Sequence, residues 1–330
     1  MFLQTLLKIF PPPNFLVMPH IGLDISDDAI NVLEYGSKFG RTYIKKYNSI
    51  DLPDGLIVGG DITDQGKLIS LLKSVRASLH ANSKSADKSL EIIHAKVSIP
   101  EEKAYLFQTD VPSISTSSIY QNVESKLEEN VPLSAKDALL HFDLIAPVSP
   151  GGSLRASVSV VPRTYIEHLS AILNEVNICP MSFETVPSAL THIVIPPHSK
   201  ETILIANLMR HKTGLYVVSS GIVCFSSTIV KDLSPDTSGM SDAEALVHEI
   251  TRVDEYWSSR IGTNPIDRVV LIGRDALKYE KELGGTILEL SIPVSVVNIW
   301  DNIFDDKKII LPLDHETSLP YAVTAGLAIL

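Results

Sequence analysis

Cysteine is scarce. Cys179 and Cys224 are the only two in 330 residues, far apart and outside any CxxC spacing. That excludes a disulfide framework and a cysteine zinc knuckle and points to a reducing, cytoplasmic setting. Basic runs are missing too: no stretch of Lys and Arg exceeds two residues, and 28 basic against 39 acidic residues leave a formal net charge of −11. Neutralising a phosphate backbone needs clustered cations, so no nucleic-acid partner is expected, and Lys45-Lys46 and Lys307-Lys308 read as solvated surface. No GxxxxGK[ST], GxGxxG, HExxH or GxSxG pattern occurs, which removes the common sequence routes to nucleotide, zinc and acyl-transfer chemistry. The ten histidines are scattered singly. The adjacent acids Glu101-Glu102 and Asp305-Asp306 read as solvated loops, because neighbours in a strand point to opposite faces. A spanning hydrophobic run is also lacking. Thr213 to Val230 is uncharged, but hydroxyl residues and glycines dilute it and it alternates around Ser219-Ser220-Gly221, as a β-hairpin does.

What is present is a globular composition, 45% apolar and 20% charged, in a chain long enough for two lobes. Met1 to Phe10 is almost wholly apolar and is stopped by Pro11-Pro12-Pro13. Phe2, Leu3, Leu6, Leu7 and Phe10 share one helical face, which suits either an interfacial or partner-binding helix or a segment folded back on its own domain. Ile21 to Ile25 and Ala29 to Tyr35 read as strands joined by the acidic turn Ser26-Asp27-Asp28, with a third strand from Thr42 to Ile50. Leu68, Leu71, Leu72, Val75 and Leu79 then mark an amphipathic helix.

Strand-like Ile92 to Ile99 leads to Pro100-Glu101-Glu102, where a second compact unit begins. Its order is a strand from Lys103 to Thr109, a helix from Ser117 to Asn130, strands around Leu139 to Ile145 and Leu154 to Val161, and a helix after Pro162. That order is an α+β module. The second half opens with strand Thr202 to Leu208 and the hairpin, followed by a helix that starts at the capping box Ser241-Asp242-Ala243-Glu244. Strand Arg268 to Ile272, ended by Gly273, and a helical tail from Tyr321 to Leu330 complete it. Both halves begin with strand, turn, strand and helix.

The opening Ile21-Gly22-Leu23-Asp24-Ile25-Ser26 through Glu34 and the closing Pro320-Tyr321-Ala322-Val323-Thr324-Ala325-Gly326-Leu327-Ala328 resemble the brackets of the PilM family. These are actin-like assembly proteins of type IV pilus machines and relatives of FtsA. Pro100-Glu101-Glu102-Lys103 matches that family's lead-in to an inserted SHS2-type subdomain, and Glu124 to Pro132 matches a helix end before a proline. The likeness runs over nearly the whole chain. It implies an α/β fold with an α+β insertion, an actin-like two-lobed body on a duplicated ribonuclease H-like core. The implied division is an N-terminal segment at 1–18, a first lobe at 19–100 with 181–199 and 315–330, the inserted module at 101–180, and a second lobe at 200–314.

The resemblance further implies ATP and Mg²⁺ between the lobes, gripped by two hairpins in which glycine turns admit phosphate to backbone N–H groups and an aspartate in each holds the metal. In this sequence Asp24 is kept, Ser26 stands for the glycine, and Asp27 and Asp28 bring negative charge toward a polyphosphate. In the second hairpin Asn207 replaces the aspartate, Met209 replaces the glycine and Thr213 is retained; Gly273-Arg274 stands at the adenosine turn. All three motifs are eroded, so a degenerate nucleotide site is expected and an enzyme is not favoured. The implied role is a cytoplasmic scaffold at the inner face of the cytoplasmic membrane. It would dock the N-terminal tail of a PilN-like membrane protein near Ile99, Pro100, Tyr105 and Tyr120 and contact other pilus platform proteins. Competing readings are an actin-like ATPase or sugar kinase and an FtsA-like division adaptor.

Overall fold

A computed structural model describes residues 18–38, 41–80, 92–112, 116–145, 153–230, 241–260, 263–283, 292–304 and 311–329. The apolar face of Phe2, Leu3, Leu6, Leu7 and Phe10 lies outside the described residues, as do Asp305-Asp306 and Lys307-Lys308.

β1 (Ile21–Ile25) and β2 (Ala29–Lys38) form the first hairpin, and β3 (Arg41–Asp51) returns beside β2. The short strands β4 (Ile57–Val58) and β5 (Asp61–Ile62) precede α1 (Gln65–His80), which buries Leu68, Leu72, Val75 and Leu79 at helical spacing. β6 (Ile93–Ile99) then pairs parallel to β1.

A small sheet follows. β7 (Tyr105–Pro112), α2 (Thr116–Asn130), β8 (Ala138–Ile145) and β9 (Ser153–Pro162) are arranged with the strands in the order β7-β9-β8. Ile119, Val123 and Leu127 of α2 pack with Ala156, Val158 and Val160 of β9. Side chains alternate along a strand, so Ser157, Ser159 and Val161 leave from the opposite face.

α3 (Arg163–Glu175) and β10 (Ile178–Thr185) return to the first sheet, where β10 lies parallel to β6. Leu169, Ile172 and Leu173 of α3 share a core with Leu68, Leu72 and Ala95, not with the small sheet. The helix after Pro162 therefore serves the first sheet. The chain then pairs with that sheet from Ile178 onward. α4 (Val186–Val194) then crosses to the second half.

The second half consists of β11 (Thr202–Leu208), β12 (Lys212–Ser219), β13 (Ile222–Val230), α5 (Asp242–Ser258), β14 (Arg268–Ile272), α6 (Ala276–Leu283), β15 (Val294–Val296), α7 (His315–Ser318) and α8 (Ala322–Leu327). The capping box opens α5: Glu244 N–H donates to the Ser241 hydroxyl at 3.2 Å, and Ser241 N–H donates to the Glu244 carboxylate at 2.7 Å.

The two large sheets repeat one plan, β3-β2-β1-β6-β10 and β13-β12-β11-β14-β15. In each, three antiparallel strands meet two parallel ones. The bracketing signatures of the sequence meet between them. A Cβ on Gly22 would lie 2.2 Å from the Thr324 carbonyl oxygen, and one on Gly326 would lie 1.9 Å from the Ala189 carbonyl oxygen. The glycines are there because β1, α4 and α8 approach backbone to backbone.

Candidate functional site

The tips of the two hairpins, the end of β14 and the start of α8 converge on one cleft. Asp24, Ser26, Asp28, Asn207, Gly273 and Arg274 line it together. Six of the eight candidate nucleotide positions therefore come to one place. Asp27 flanks the cleft, and its carboxylate takes N–H bonds from Gly59 (3.2 Å) and Gly60 (3.4 Å). Thr213 is buried in β12, paired with Leu208 and Ile229, and is not among the lining residues.

Local chemistry explains each wall. The Ser26 hydroxyl folds back on its own turn: it donates to the Ala29 carbonyl at 3.1 Å and accepts from the Asp28 and Ala29 N–H groups at 3.4 and 3.2 Å. The backbone donors that a glycine turn would offer to a phosphate are thus already engaged. Asp24 accepts the Ser98 hydroxyl at 2.7 Å. Burial raises its carboxyl above the ordinary carboxylate range against the pull of Ser98, Asn31 and Lys212. Across the cleft, Arg210 N–H donates to Asp28 at 2.8 Å. His211 lies 4.0 Å from Asp28 and 3.5 Å from Asp54, and Arg274 donates to Asp51 at 2.6 Å. Gly273 sits at φ 97°, and a Cβ there would lie 2.5 Å from the Leu208 carbonyl oxygen.

Lys212, which the sequence offers only as a flank of an uncharged run, is the centre of the site. Its side chain is 6% exposed; the ammonium pairs with Glu102 and lies 3.6 Å from Asp27. Burial opposes its charge, but Glu101, Glu102 and Asp27 outweigh that and hold its pKa above the usual lysine value. Glu101 is itself buried, and its carboxyl is raised chiefly by burial while Lys212 opposes the rise. This corrects the solvated-loop expectation for Glu101, which is buried, whereas Glu102 stays partly exposed and reaches back to pair with Lys212. Lys45 and Lys46 stay at the surface, with side chains 41% and 32% exposed, and from there both pair with the buried carboxylate of Glu34.

The space left is small. The cleft holds about 50 Å³, against roughly 300–1,000 Å³ for ligand pockets in general. Among the described residues no group of three or more His, Cys, Asp or Glu side chains is placed to hold a metal ion.

No family model matches the sequence, and no curated protein matches it. Similarity to solved structures is extensive. The chain superposes on the "PilM-PilN type IV pilus biogenesis complex" with a TM-score of 0.73 at 15% identity, over 94% of this chain and 98% of that one. The chain has the actin-like fold of PilM. The ethanolamine utilization protein EutJ from Carboxydothermus hydrogenoformans is similar at lower fidelity, with a TM-score of 0.53 at 11% identity, covering 96% of this chain and 90% of that one.

A second, roomier concavity of about 240 Å³ lies between the small sheet and the first sheet, with Gly221 and Val223 of the second sheet's hairpin on its wall. Ile99, Leu140, Ser159, Val161, Phe183 and Glu184 are among its walls. It runs between two sheet edges, because neither β8 nor β10 has a second partner among the described strands. Glu184 is held ionised there. Burial would raise its carboxyl, but His192 at 2.7 Å and the Ser188 hydroxyl at 2.6 Å lower it. The four partner positions separate: Ile99 lines this groove and Pro100 lines the cleft. Tyr105 borders a smaller hollow beside the groove, and Tyr120 is exposed on α2, beyond the opposite face of the small sheet. Among the described residues no helix is long and apolar enough to cross a membrane.

Proposed function

We propose that this chain is a scaffold of a type IV pilus or related secretion platform, working at the cytoplasmic face of the inner membrane, and that it docks the short tail of a PilN-like membrane protein without using nucleotide. The observation that carries the reading is the exchange of roles between the two concavities. The cleft that would take Mg-ATP is lined by Lys212 held in the chain's own ion pairs, two of its turn amides are engaged by Ser26, and about 50 Å³ is free. A nucleotide placed there would displace ion pairs and meet Asp27 and Asp28 at the phosphates, each repelling by about 1 kcal/mol or more. The residues do not fit the cofactor, so no step is routed through it.

The groove, by contrast, is open, has an apolar floor and lies between unpaired strand edges. Such a site suits an extended peptide whose main chain adds to an edge while alternate side chains enter pockets. The similarity to a PilM-PilN complex supports a tail of that kind as occupant. A closing helix buried against Gly22 and Ala189 leaves α8 no free face for a membrane, which weighs against a division adaptor anchored there. The test is calorimetric titration with a peptide carrying the N-terminal cytoplasmic tail of a PilN-like single-span membrane protein. Saturable binding that a groove-filling substitution abolishes is expected. Binding of Mg-ATP at micromolar strength with no peptide binding would reverse the ranking.

A further inference from the structure

The cleft and the groove share a wall. Consecutive residues divide between them: Ile99 and Thr185 face the groove, while Pro100, Glu101 and Val186 face the cleft. Between β6 and β7 the chain makes one tight turn, Glu101–Lys103, and enters the small sheet. That turn is fastened from both sides, by Lys103 to Asp61 at 2.7 Å and by Glu102 to Lys212. Lys212 belongs to the second sheet, Asp27 to the first and Glu102 to the lead-in of the small sheet. The remaining described bonds of the small sheet to the second are neutral or singly charged: Ser157 to the Val223 carbonyl at 2.6 Å, and Gln108 to the Cys224 carbonyl and to Arg260, each at 3.2 Å.

We propose that Lys212 is a positioning residue for the groove: its ammonium, seated among Asp27, Glu101 and Glu102, ties together the three sheets whose surfaces form the groove walls. In this chain an internal cation holds the sheets in the arrangement that a ligand-filled cleft would otherwise hold. Loss of that charge leaves three carboxylates facing one another at the hinge of the small sheet, and their repulsion swings the sheet and changes the groove. Only the consequence for peptide docking rests on the function proposed above; the tie itself does not.

The test is a spin-label distance between Tyr120→Cys on α2 and Tyr43→Cys on β3, in a Cys179→Ser, Cys224→Ala background of the full chain. One narrow distance is expected with Lys212 present and with Lys212→Arg, and a shifted or broadened distribution is expected with Lys212→Met. Glu102→Gln, which removes one partner from a less buried position, serves where Lys212→Met folds poorly and is expected to broaden the distribution less. Peptide affinity is expected to fall by a factor of about 3–30 in step with the broadening. An unchanged distribution in both neutralised variants overturns the tie, whatever the peptide does. A changed distribution with no peptide binding to any variant supports the tie and removes the docking function instead.

Discussion

Replacing Lys212 by methionine is the sharpest perturbation the structure offers. The side chain keeps its length and loses its charge, leaving Asp27, Glu101 and Glu102 without their common cation in a site where Lys212 is 6%, Asp27 14% and Glu102 22% exposed at the side chain. Breaking a buried pair from one side costs about 3–5 kcal/mol, because the abandoned charges stay desolvated. Folded domains have about 5–15 kcal/mol in hand, so the variant is expected to fold but to be marginal. For 330 residues the unfolding entropy is roughly 0.7 kcal/mol per kelvin, which places the loss in Tm at about 4–7 °C.

The pH dependence has a definite sign. The folded pKa of Lys212 is raised, so its contribution is fully present below the unfolded lysine value of about 10.4 and is lost as pH rises through the higher folded value. On the acid side Glu101 and Asp24 have raised folded pKa values. The folded state of the variant therefore takes up protons, and its stability rises as pH falls toward about 5. The deficit is expected to be largest from above the carboxylate range up to the unfolded lysine value of about 10.4, and to shrink on either side of that window. Urea unfolding of both chains from pH 5 to pH 11 reads it. A deficit below about 1 kcal/mol, or one flat in pH, would refute the buried-cation reasoning.

Other substitutions address the fold and the groove. Gly22→Ala puts a methyl group 2.2 Å from the Thr324 oxygen and is expected to destabilise by about 1–3 kcal/mol or more in thermal melts; an unchanged Tm would mean that β1 and α8 do not meet as described. Ser241→Ala removes half of the capping box of α5 and should cost about 1 kcal/mol, measured by urea midpoint. Ser159→Trp fills a groove wall and is expected to abolish peptide capture while leaving circular dichroism unchanged. The Cys224 thiol is pushed up to about 11, mainly by burial, whereas Cys179 is half-buried. A thiol reagent at pH 8 is expected to label Cys179 and spare Cys224, as peptide mass mapping would show.

Much of this fold is written in patterns of short range. The strand pairs around Ser26-Asp27-Asp28 and Ser219-Ser220-Gly221, the heptad-like leucines of α1 and the capping box of α5 are each local signals, and each is found in place. β10 and α4 were not legible. β10 carries an irregular register between Pro180 and Ser182 that spoils its alternation. α4 is buried from Val186 to Val194 except at Ser188 and His192, so its polar stripe is only two residues wide and the rest is rich in residues that favour strands. The cleft was legible as a set of positions but not as a charge pattern. Lys212 lies 110 residues beyond Glu102, and only the folded chain shows that it meets the adjacent acids Glu101 and Glu102.

Equilibrium titration of the intact chain with Mg-ATP, followed by calorimetry, tests the central claim most directly. With Lys212 on the cleft wall held by Glu102 and Asp27 and the turn amides engaged by Ser26, no saturable binding is expected up to millimolar nucleotide. Stoichiometric binding at micromolar strength would contradict a self-filled cleft.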